Sequence, residues 1–285
     1  MALASCMLTF SAMAAYAQEK TDVKAGTTEL LAVDPNSGKN QTERPTLENE
    51  SKGTEVITAE KFASERKYES MKMIDEQIQR LKKLLSITPK DHQDRPEILF
   101  NLAELYFEKS NIYNGKAYDR QDECYKLEDK KAEQRDIDRC KQMMKDELEE
   151  SQRLRQDSIK LYGEIIGNYN SYKNMDEVLF YLGQGMLELK KRTEGLEVFK
   201  RLIANYPSSK YVPNALVAFG DAYFDRDDMA QAVKAYDKVT ESYKDSSVYS
   251  YALYKKGWCY FNMDDKERAL DYFLQTLKYS KKRTD

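Results

Sequence analysis

The last third of the chain repeats one pattern of residues at a fixed step of 37 positions. Gly183, Gly220 and Gly257 are in register at this step. The other positions that recur are Leu179, Leu216 and Leu253, then Gly195, Ala232 and Ala269, and then Phe199, Tyr236 and Phe273. A period of this length is typical of a solenoid of stacked helical hairpins, in which no unit can bury its apolar face alone. The pattern therefore predicts an all-α architecture built from repeats.

Each repeat unit has the apolar spacing of two helices. In the first helix, Leu179 and Met186 stand at helical distances on either side of Gly183. In the second helix, Gly195 is followed four positions later by Phe199, one turn away on the same face. A small residue on each helix lets the two backbones approach closely, and the aromatic ring fills the space beside the crossing.

The motifs at these positions resemble the tetratricopeptide repeat (TPR) family. The first-helix motifs are LFYLGQGM, ALVAFGDAY and ALYKKGWCY, and the second-helix motifs are EGLEVFKRLIANYP, AQAVKAYDKV and ERALDYFLQT. Only Pro207 matches the family's closing proline. The segment NYPSSKYVPNAL is similar to the linker of bacterial envelope members, of the outer-membrane assembly lipoprotein and cell-division coordinator types. The resemblance covers residues 176–285 closely, as three units, and residues 58–170 loosely.

The amino terminus has the composition of an export signal. Residues 2–17 are apolar and uncharged, and residues 15–17 form an A-x-A cleavage pattern, so residues 1–17 are predicted to be a signal peptide. In an alternative reading, residues 3–6 resemble a lipobox, which would place a lipid on Cys6 and tether the protein to a membrane. Both readings predict a location in the periplasm or at the periphery of the outer membrane.

Two segments separate this signal from the repeats. Residues 18–57 are polar, contain Pro35 and Pro45, and are predicted to be a disordered linker. A helix is predicted from Ala59 to Leu85, within a segment 58–94 that caps the array. Its apolar stripe consists of Met71, Ile74, Ile78, Leu81 and Leu85.

The first unit, residues 95–175, is predicted to contain an insertion at residues 110–155. Small residues lie 12 positions apart in the later units, whereas Ala103 and Ser158 lie 55 apart, which leaves 43 extra residues. The insertion is dense in charged helix formers, so helix is its favoured conformation. The pattern predicts an antiparallel coiled-coil arm that projects roughly 30 Å. The alternative is a single long helix with disordered flanks.

Two cysteines distinguish these alternatives. On one straight helix, Cys124 and Cys140 would stand about 24 Å apart, too far for a bond. In a symmetric hairpin they come level, because their midpoint coincides with the midpoint of the arm. A disulfide between them is therefore predicted near the tip, in keeping with an oxidising compartment. Cys259, beside Trp258 in a first helix, is predicted to be a buried free thiol.

Composition and motifs argue against several classes of function. The 46 Lys and Arg nearly balance the 49 Asp and Glu, so no basic field exists to hold a nucleic acid. His92 is the single histidine and has no His or Cys near it in the sequence, so no metal site is predicted. No Gly-rich phosphate loop is present, and the carboxylates have the spacing of solvated helix faces. The chain is therefore predicted to have no catalytic activity and no cofactor.

The resemblance to the TPR family implies a groove lined by the first helices. The candidate partner-binding residues on the groove stripe are Phe180, Glu188, Asp221, Phe224, Asp225, Tyr251, Tyr254, Trp258 and Phe261. Over four first helices this stripe holds seven carboxylates and no Lys or Arg. We therefore predict partner segments in which Lys or Arg stands among apolar residues, with the large aromatics as anchors. The alternative assigns the apolar members of the stripe to packing between adjacent units.

The predicted function is a noncatalytic scaffold of a bacterial cell envelope that binds other proteins. An alternative is a lipid-anchored assembly factor for the outer membrane or for a surface or motility machine, which lipidation of Cys6 would favour. A further alternative is the recognition domain of an enzyme whose catalytic part lies elsewhere.

Overall fold

A computed structural model describes the backbone of residues 59–284 and the side chains of residues 70–280. The predicted signal peptide, the predicted linker and Cys6 lie outside these residues. All contacts reported below lie within one compact unit of the chain, Lys67–Asp285.

Every regular element among the described residues is a helix, which confirms the predicted all-α class. In chain order the helices are α1 (Ala59–Ile87), α2 (Arg95–Asp129), α3 (Gln134–Asn168), α4 (Met175–Glu188), α5 (Arg192–Asn205), α6 (Val212–Phe224), α7 (Met229–Ser242), α8 (Tyr249–Asn262) and α9 (Lys266–Thr284). The pairs α4–α5, α6–α7 and α8–α9 are called repeats 1, 2 and 3 below.

The glycines of the first helices permit the close crossing that the sequence predicts. A Cβ atom added to Gly183 would lie 2.7 Å from the ring of Phe199, and one added to Gly257 would lie 2.6 Å from the ring of Phe273. Real Cβ atoms do not approach a neighbour so closely, so any side chain at these positions would displace the ring. Contact between the two helices of each repeat thus explains why the spacing from the glycine to the aromatic residue is the same in all three repeats.

One turn geometry joins the two helices of every repeat. Lys190, Asp227 and Asp264 have φ between 61° and 63°, in the left-handed region, and they stand 37 residues apart. The residue after each of them donates its N–H to the carbonyl five residues back, as from Lys191 to the carbonyl of Met186 at 2.8 Å. This is the bond of a Schellman motif, which satisfies a carbonyl at the helix end. The repeats therefore share their turns as well as their cores.

Helices α2 and α3 form an antiparallel hairpin much longer than the repeats. Each has 35 residues, against 13 or 14 for α4 to α8. At about 1.5 Å per residue, the hairpin helices are roughly 30 Å longer than those of the repeats. Buried Ser110 and Ser151 meet across the hairpin with their Oγ atoms 3.2 Å apart, and Arg120 donates to Glu147 at 3.0 Å. A single helix with loose flanks is therefore wrong, whereas supercoiling as a coiled coil stays a prediction.

Close to the turn of this hairpin, a disulfide joins Cys124 and Cys140. Their Cα atoms lie 5.7 Å apart, and both side chains are buried. These are the two cysteines for which the sequence predicts a disulfide near the tip of the hairpin.

Helix α1 covers the base of the hairpin. Ile74 and Ile78 are buried against Leu102, and Leu81 and Leu85 pack against the same cluster. These four residues belong to the stripe that the sequence predicts, so the described part of α1 uses its apolar face within the fold.

Candidate protein-binding site

The junction between repeats 1 and 2 is closed by aromatic side chains. Phe180 on α4 stacks on Tyr211, just before α6, with ring centroids 4.4 Å apart and planes at 14°. Phe180 is 6% exposed and also faces Phe199. The prediction that Phe180 lines an open groove is therefore wrong, because the following repeat covers it.

The junction between repeats 2 and 3 is closed by a buried ion pair. The carboxylate of Asp221 on α6 accepts hydrogen bonds from the hydroxyls of Tyr236 at 2.6 Å and Tyr251 at 3.1 Å. Lys255 on α8 is 1% exposed, and its Nζ lies 3.4 Å from the same carboxylate and 3.7 Å from the ring centroid of Phe224. Asp221, Phe224 and Tyr251 therefore hold two repeats together, which corrects their assignment to partner binding.

Burial dominates the electrostatics of this junction. Desolvation raises the pKa of the Asp221 carboxyl above its ordinary value, although Lys255 and the two tyrosine hydroxyls favour the charged form. Desolvation and the nearby Asp221 also raise the pKa of the Tyr236 and Tyr251 hydroxyls, which therefore stay protonated and act as donors. Such a network specifies how two repeats seat on each other.

The two remaining predicted carboxylates are paired as well. Glu188 at the end of α4 contacts the guanidinium of Arg155 on α3, and that guanidinium lies 3.6 Å from the ring centroid of Phe107. Arg155 is buried, and desolvation lowers the pKa of its guanidinium and raises that of the Glu188 carboxyl. Asp225 pairs with Arg192 of the preceding repeat. Glu188 and Asp225 are thus not free to steer a basic partner.

The sequence-based stripe missed the cations because they stand outside it. Lys255 is the residue after Tyr254, and its long stem carries the charge back to the preceding repeat. Arg155 and Arg192 lie on α3 and on the second helix α5, which the stripe did not include. The prediction that partner segments carry Lys or Arg rested on free carboxylates, and Glu188, Asp221 and Asp225 no longer support it because they are paired.

Three of the predicted residues are exposed at the last repeat. Tyr254, Trp258 and Phe261 on α8 are 40%, 37% and 49% exposed. Trp258 stands at the centre of the group, with its ring centroid 5.6 Å from those of Phe261 and Phe273. Leu270, Leu274 and Leu277 on α9 are exposed too. These six exposed residues are called the C-terminal face.

The 37-residue register explains why these positions are exposed in repeat 3. Trp258 and Phe261 occupy the positions of Asp221 and Phe224 in repeat 2, which Lys255 of the next repeat covers. Tyr254 occupies the position of Phe180, on which Tyr211 of the next repeat stacks. The positions of the C-terminal face are therefore those on which a repeat receives its neighbour. This supports the alternative that assigned the stripe to packing between units.

Other chemistry is limited among the residues that the structure describes. No group of three or more potential metal ligands is present there. His92 is exposed, and its Nδ1 accepts a hydrogen bond from the N–H of Asp94 at 3.2 Å. Cys259 is a free, buried thiol, and burial raises its pKa to about 12, which makes it unreactive. Within the described part, no helix is long and apolar enough to cross a membrane.

The fold and the junctions define a helical repeat protein. The family model described as tetratricopeptide repeat matches residues 177–209, 214–246 and 251–281. The three matches to this model fall on repeats 1, 2 and 3.

Comparison with solved structures gives similarities at low sequence identity. A crystal structure of MamA is 18% identical, with a TM-score of 0.49, and the match covers 74% of this chain and 91% of that one. The TPR-like repeats of a kinesin light chain from Podosopora anserina are 11% identical, with a TM-score of 0.44, over 77% of this chain and 92% of that one. BtubC from P. vanneervenii is 13% identical, with a TM-score of 0.42, over 76% and 92%. No curated protein matches the sequence.

Proposed function

We propose that this protein is a noncatalytic scaffold of a bacterial cell envelope and that it holds a partner protein on its C-terminal face. Tetratricopeptide repeats imply a protein-protein interaction scaffold. The single observation that carries the choice of surface is the exposed group of Tyr254, Trp258 and Phe261 on α8, in a repeat whose α9 exposes three leucines as well. Large aromatic side chains carry most of the energy of protein interfaces, and apolar patches of this kind mark interaction sites.

Two features support the envelope as the compartment. Residues 2–17 have the composition of an export signal with an A-x-A pattern. The disulfide between Cys124 and Cys140 suits an oxidising compartment, since disulfides are rare in the cytosol. Cell fractionation of the expressed protein tests export, and recovery with cytosolic markers would contradict this part of the proposal.

Photocrosslinking tests the choice of surface. Phe261, replaced by a photoreactive benzoylphenylalanine, is expected to crosslink one partner in intact cells. Tyr125 on the hairpin is the matched control position, because it is also an exposed aromatic residue. Crosslinking at position 125 alone would move the binding site to the hairpin and contradict the proposal.

Truncation of the central aromatic side chain measures its contribution to binding. Trp258→Ala is expected to weaken capture of the crosslinked partner by about 2 kcal/mol, because a central anchor of an interface is lost. Trp258 is exposed, so the far-ultraviolet circular dichroism and the melting temperature should stay close to those of the parent protein. Unchanged affinity in a folded Trp258→Ala variant would exclude the C-terminal face as the site.

A lipid-anchored form of the same scaffold is the second candidate. Residues 3–6, with the sequence LASC, favour it, because Cys6 would carry the lipid. Such a protein would act as an assembly factor at the outer membrane or in a surface or motility machine. Metabolic labelling with a radioactive fatty acid separates the two candidates, since only the anchored form would incorporate label and lose it in Cys6→Ser.

A further inference from the structure

We infer that the C-terminal face receives an amphipathic helix of another protein, and that the side chains which this helix places over Leu274 and Leu277 are apolar and not Lys or Arg. The inference rests on the proposed function and names the chemistry of the partner. It replaces the basic partner segment that the sequence suggested.

The structure itself shows what covers an equivalent face. In repeat 2 the helix α8 lies on this surface and brings two lysines to it. Lys255 reaches Asp221, while Lys256 lies 2.7 Å from the carboxylate of Asp237 and 3.3 Å from the hydroxyl of Thr240. Both lysines are buried, so each depends on the groups that surround its charge. These groups are the oxygen ligands and, in addition, the ring of Phe224 for Lys255 and the ring of Tyr272 for Lys256.

Repeat 3 has lost these oxygen ligands. At the positions of Asp221, Asp237 and Thr240 it has three apolar residues, which are Trp258, Leu274 and Leu277. A lysine seated there as Lys256 is seated would be buried over Leu274 and Leu277 without an oxygen ligand, which is strongly unfavourable. A lysine seated as Lys255 is seated would keep only an aromatic ring, because Phe261 holds the position of Phe224. Over Leu274 and Leu277 the face therefore selects against a cation and in favour of an apolar side chain.

The junction between repeats 1 and 2 shows the apolar version of this contact. There Tyr211 stacks on Phe180, and Phe219 stands at the register position that Lys256 holds in α8. The segment that contains α6 is thus the helix within this chain whose chemistry fits the C-terminal face best. In a second copy of the chain, α4 and α6 are enclosed by their neighbours and cannot serve as the occupant. Pairing of two C-terminal faces is a separate outcome, which the test below distinguishes.

A synthetic peptide of residues 210–226 is the probe, and Trp258 is the reporter. Trp258 is the single tryptophan of the protein and stands in the face itself, and the peptide contains none. Binding is expected to shift the emission of Trp258 to shorter wavelength in a saturable titration. The matched control is the same peptide with Phe219→Lys, which imitates the lysine of α8. Circular dichroism in the presence of a helix-promoting cosolvent checks that both peptides have equal helix-forming capacity.

The same two peptides are then compared on the parent protein and on a variant that carries a carboxylate in the face. With the full chain, the parent peptide is expected to bind at least about tenfold more tightly than the Phe219→Lys peptide, since a desolvated cation lacks a partner. The variant Leu274→Asp recreates the carboxylate of Asp237, so the preference should reverse in favour of the lysine peptide. Leu274 is exposed, and this variant is therefore expected to fold.

Three results would overturn the inference. Equal binding of both peptides to the parent protein would show that the face does not discriminate against a cation. No change in Trp258 emission with either peptide would show that it receives no helix of this type. A dimer in sedimentation equilibrium that Leu274→Asp dissociates would assign the face to a second copy. If photocrosslinking at position 261 still captures another protein while both peptides fail, the proposed function stands and only the inference about the partner falls.

Discussion

The α2–α3 hairpin and the three repeats are both made of antiparallel helix pairs, yet different forces hold them. Within a repeat, a glycine on the first helix lets an aromatic ring close the crossing, and adjacent repeats are joined by buried contacts such as Lys255 with Asp221. Along the hairpin, a disulfide and the small pair Ser110 and Ser151 hold the helices together. The disulfide and the serine pair link the two helices of one hairpin, whereas the ion pair links one repeat to the next.

The largest expected effect comes from breaking the junction between repeats. Lys255→Ala should lower the free energy of unfolding by roughly 3–4 kcal/mol, because it removes the buried methylene groups of Lys255, and the loss of the cation beside the partly exposed Asp221 carboxylate adds a smaller amount. Guanidinium denaturation followed by circular dichroism measures the change. Lys238→Ala, at an exposed position of α7, is the control and should change little. A similar small loss in both variants would mean that Lys255 does not stabilise the junction.

The second effect concerns the hairpin alone. The pair of changes Cys124→Ser and Cys140→Ser should cost on the order of 3 kcal/mol locally, because the disulfide restricts the unfolded hairpin. Hydrogen exchange is expected to rise in α2 and α3 near the turn and to stay unchanged in repeats 2 and 3. Intact mass with and without reduction and alkylation shows whether the bond is present. Free thiols at both positions in protein from the cell envelope would refute it.

A third prediction compares glycines of the two regions. Gly183→Ala should destabilise the protein by roughly 1–3 kcal/mol, because its Cβ would meet the ring of Phe199. Gly163→Ala on α3 is the matched control, since a Cβ there has nothing within 4 Å. It should leave stability unchanged or raise it by up to about 1 kcal/mol, because alanine favours helix over glycine. Equal melting temperatures for the two variants would contradict the close crossing.

The smallest expected change in the free energy of unfolding comes from an ion pair on the surface of the hairpin. A hydrogen bond from Arg153 lowers the pKa of the Glu150 carboxyl below its ordinary value. A lowered pKa in the folded state contributes stability above the ordinary pKa, and that contribution is lost as the pH falls through the folded-state pKa. Since Arg153 is exposed, Glu150→Gln should cost only a few tenths of a kcal/mol at neutral pH and nothing in acid. Denaturation at two pH values measures the difference, and an equal loss at both would exclude the ion pair as its cause.

The repeats were predictable because their signal is local. Gly183 and Phe199, or Gly257 and Phe273, recur at one step, and each pair meets within one hairpin. The hairpin itself could be inferred from the spacing of small residues. Contacts within one helix pair do not depend on how one repeat is oriented relative to the next.

The candidate site was predicted only in part for the opposite reason. Whether Asp221 faces solvent depends on where the side chain of Lys255 goes, 34 positions later in the sequence. Whether Phe180 is buried likewise depends on the next repeat, because the ring of Tyr211 covers it. Tyr254, Trp258 and Phe261 remain accessible because the described residues include no following repeat to cover them. A stripe on one helix cannot report these contacts between repeats.

The rate at which the Cys259 thiol is alkylated reports how often the last repeat opens. This thiol is fully buried on α8, and the other described cysteines are bonded to each other. An alkylating reagent can therefore modify this residue only while α8 has separated from its neighbours, so that the labelling rate counts opening events of repeat 3. If a bound helix on the C-terminal face clamps α8, the same rate should slow in proportion to occupancy.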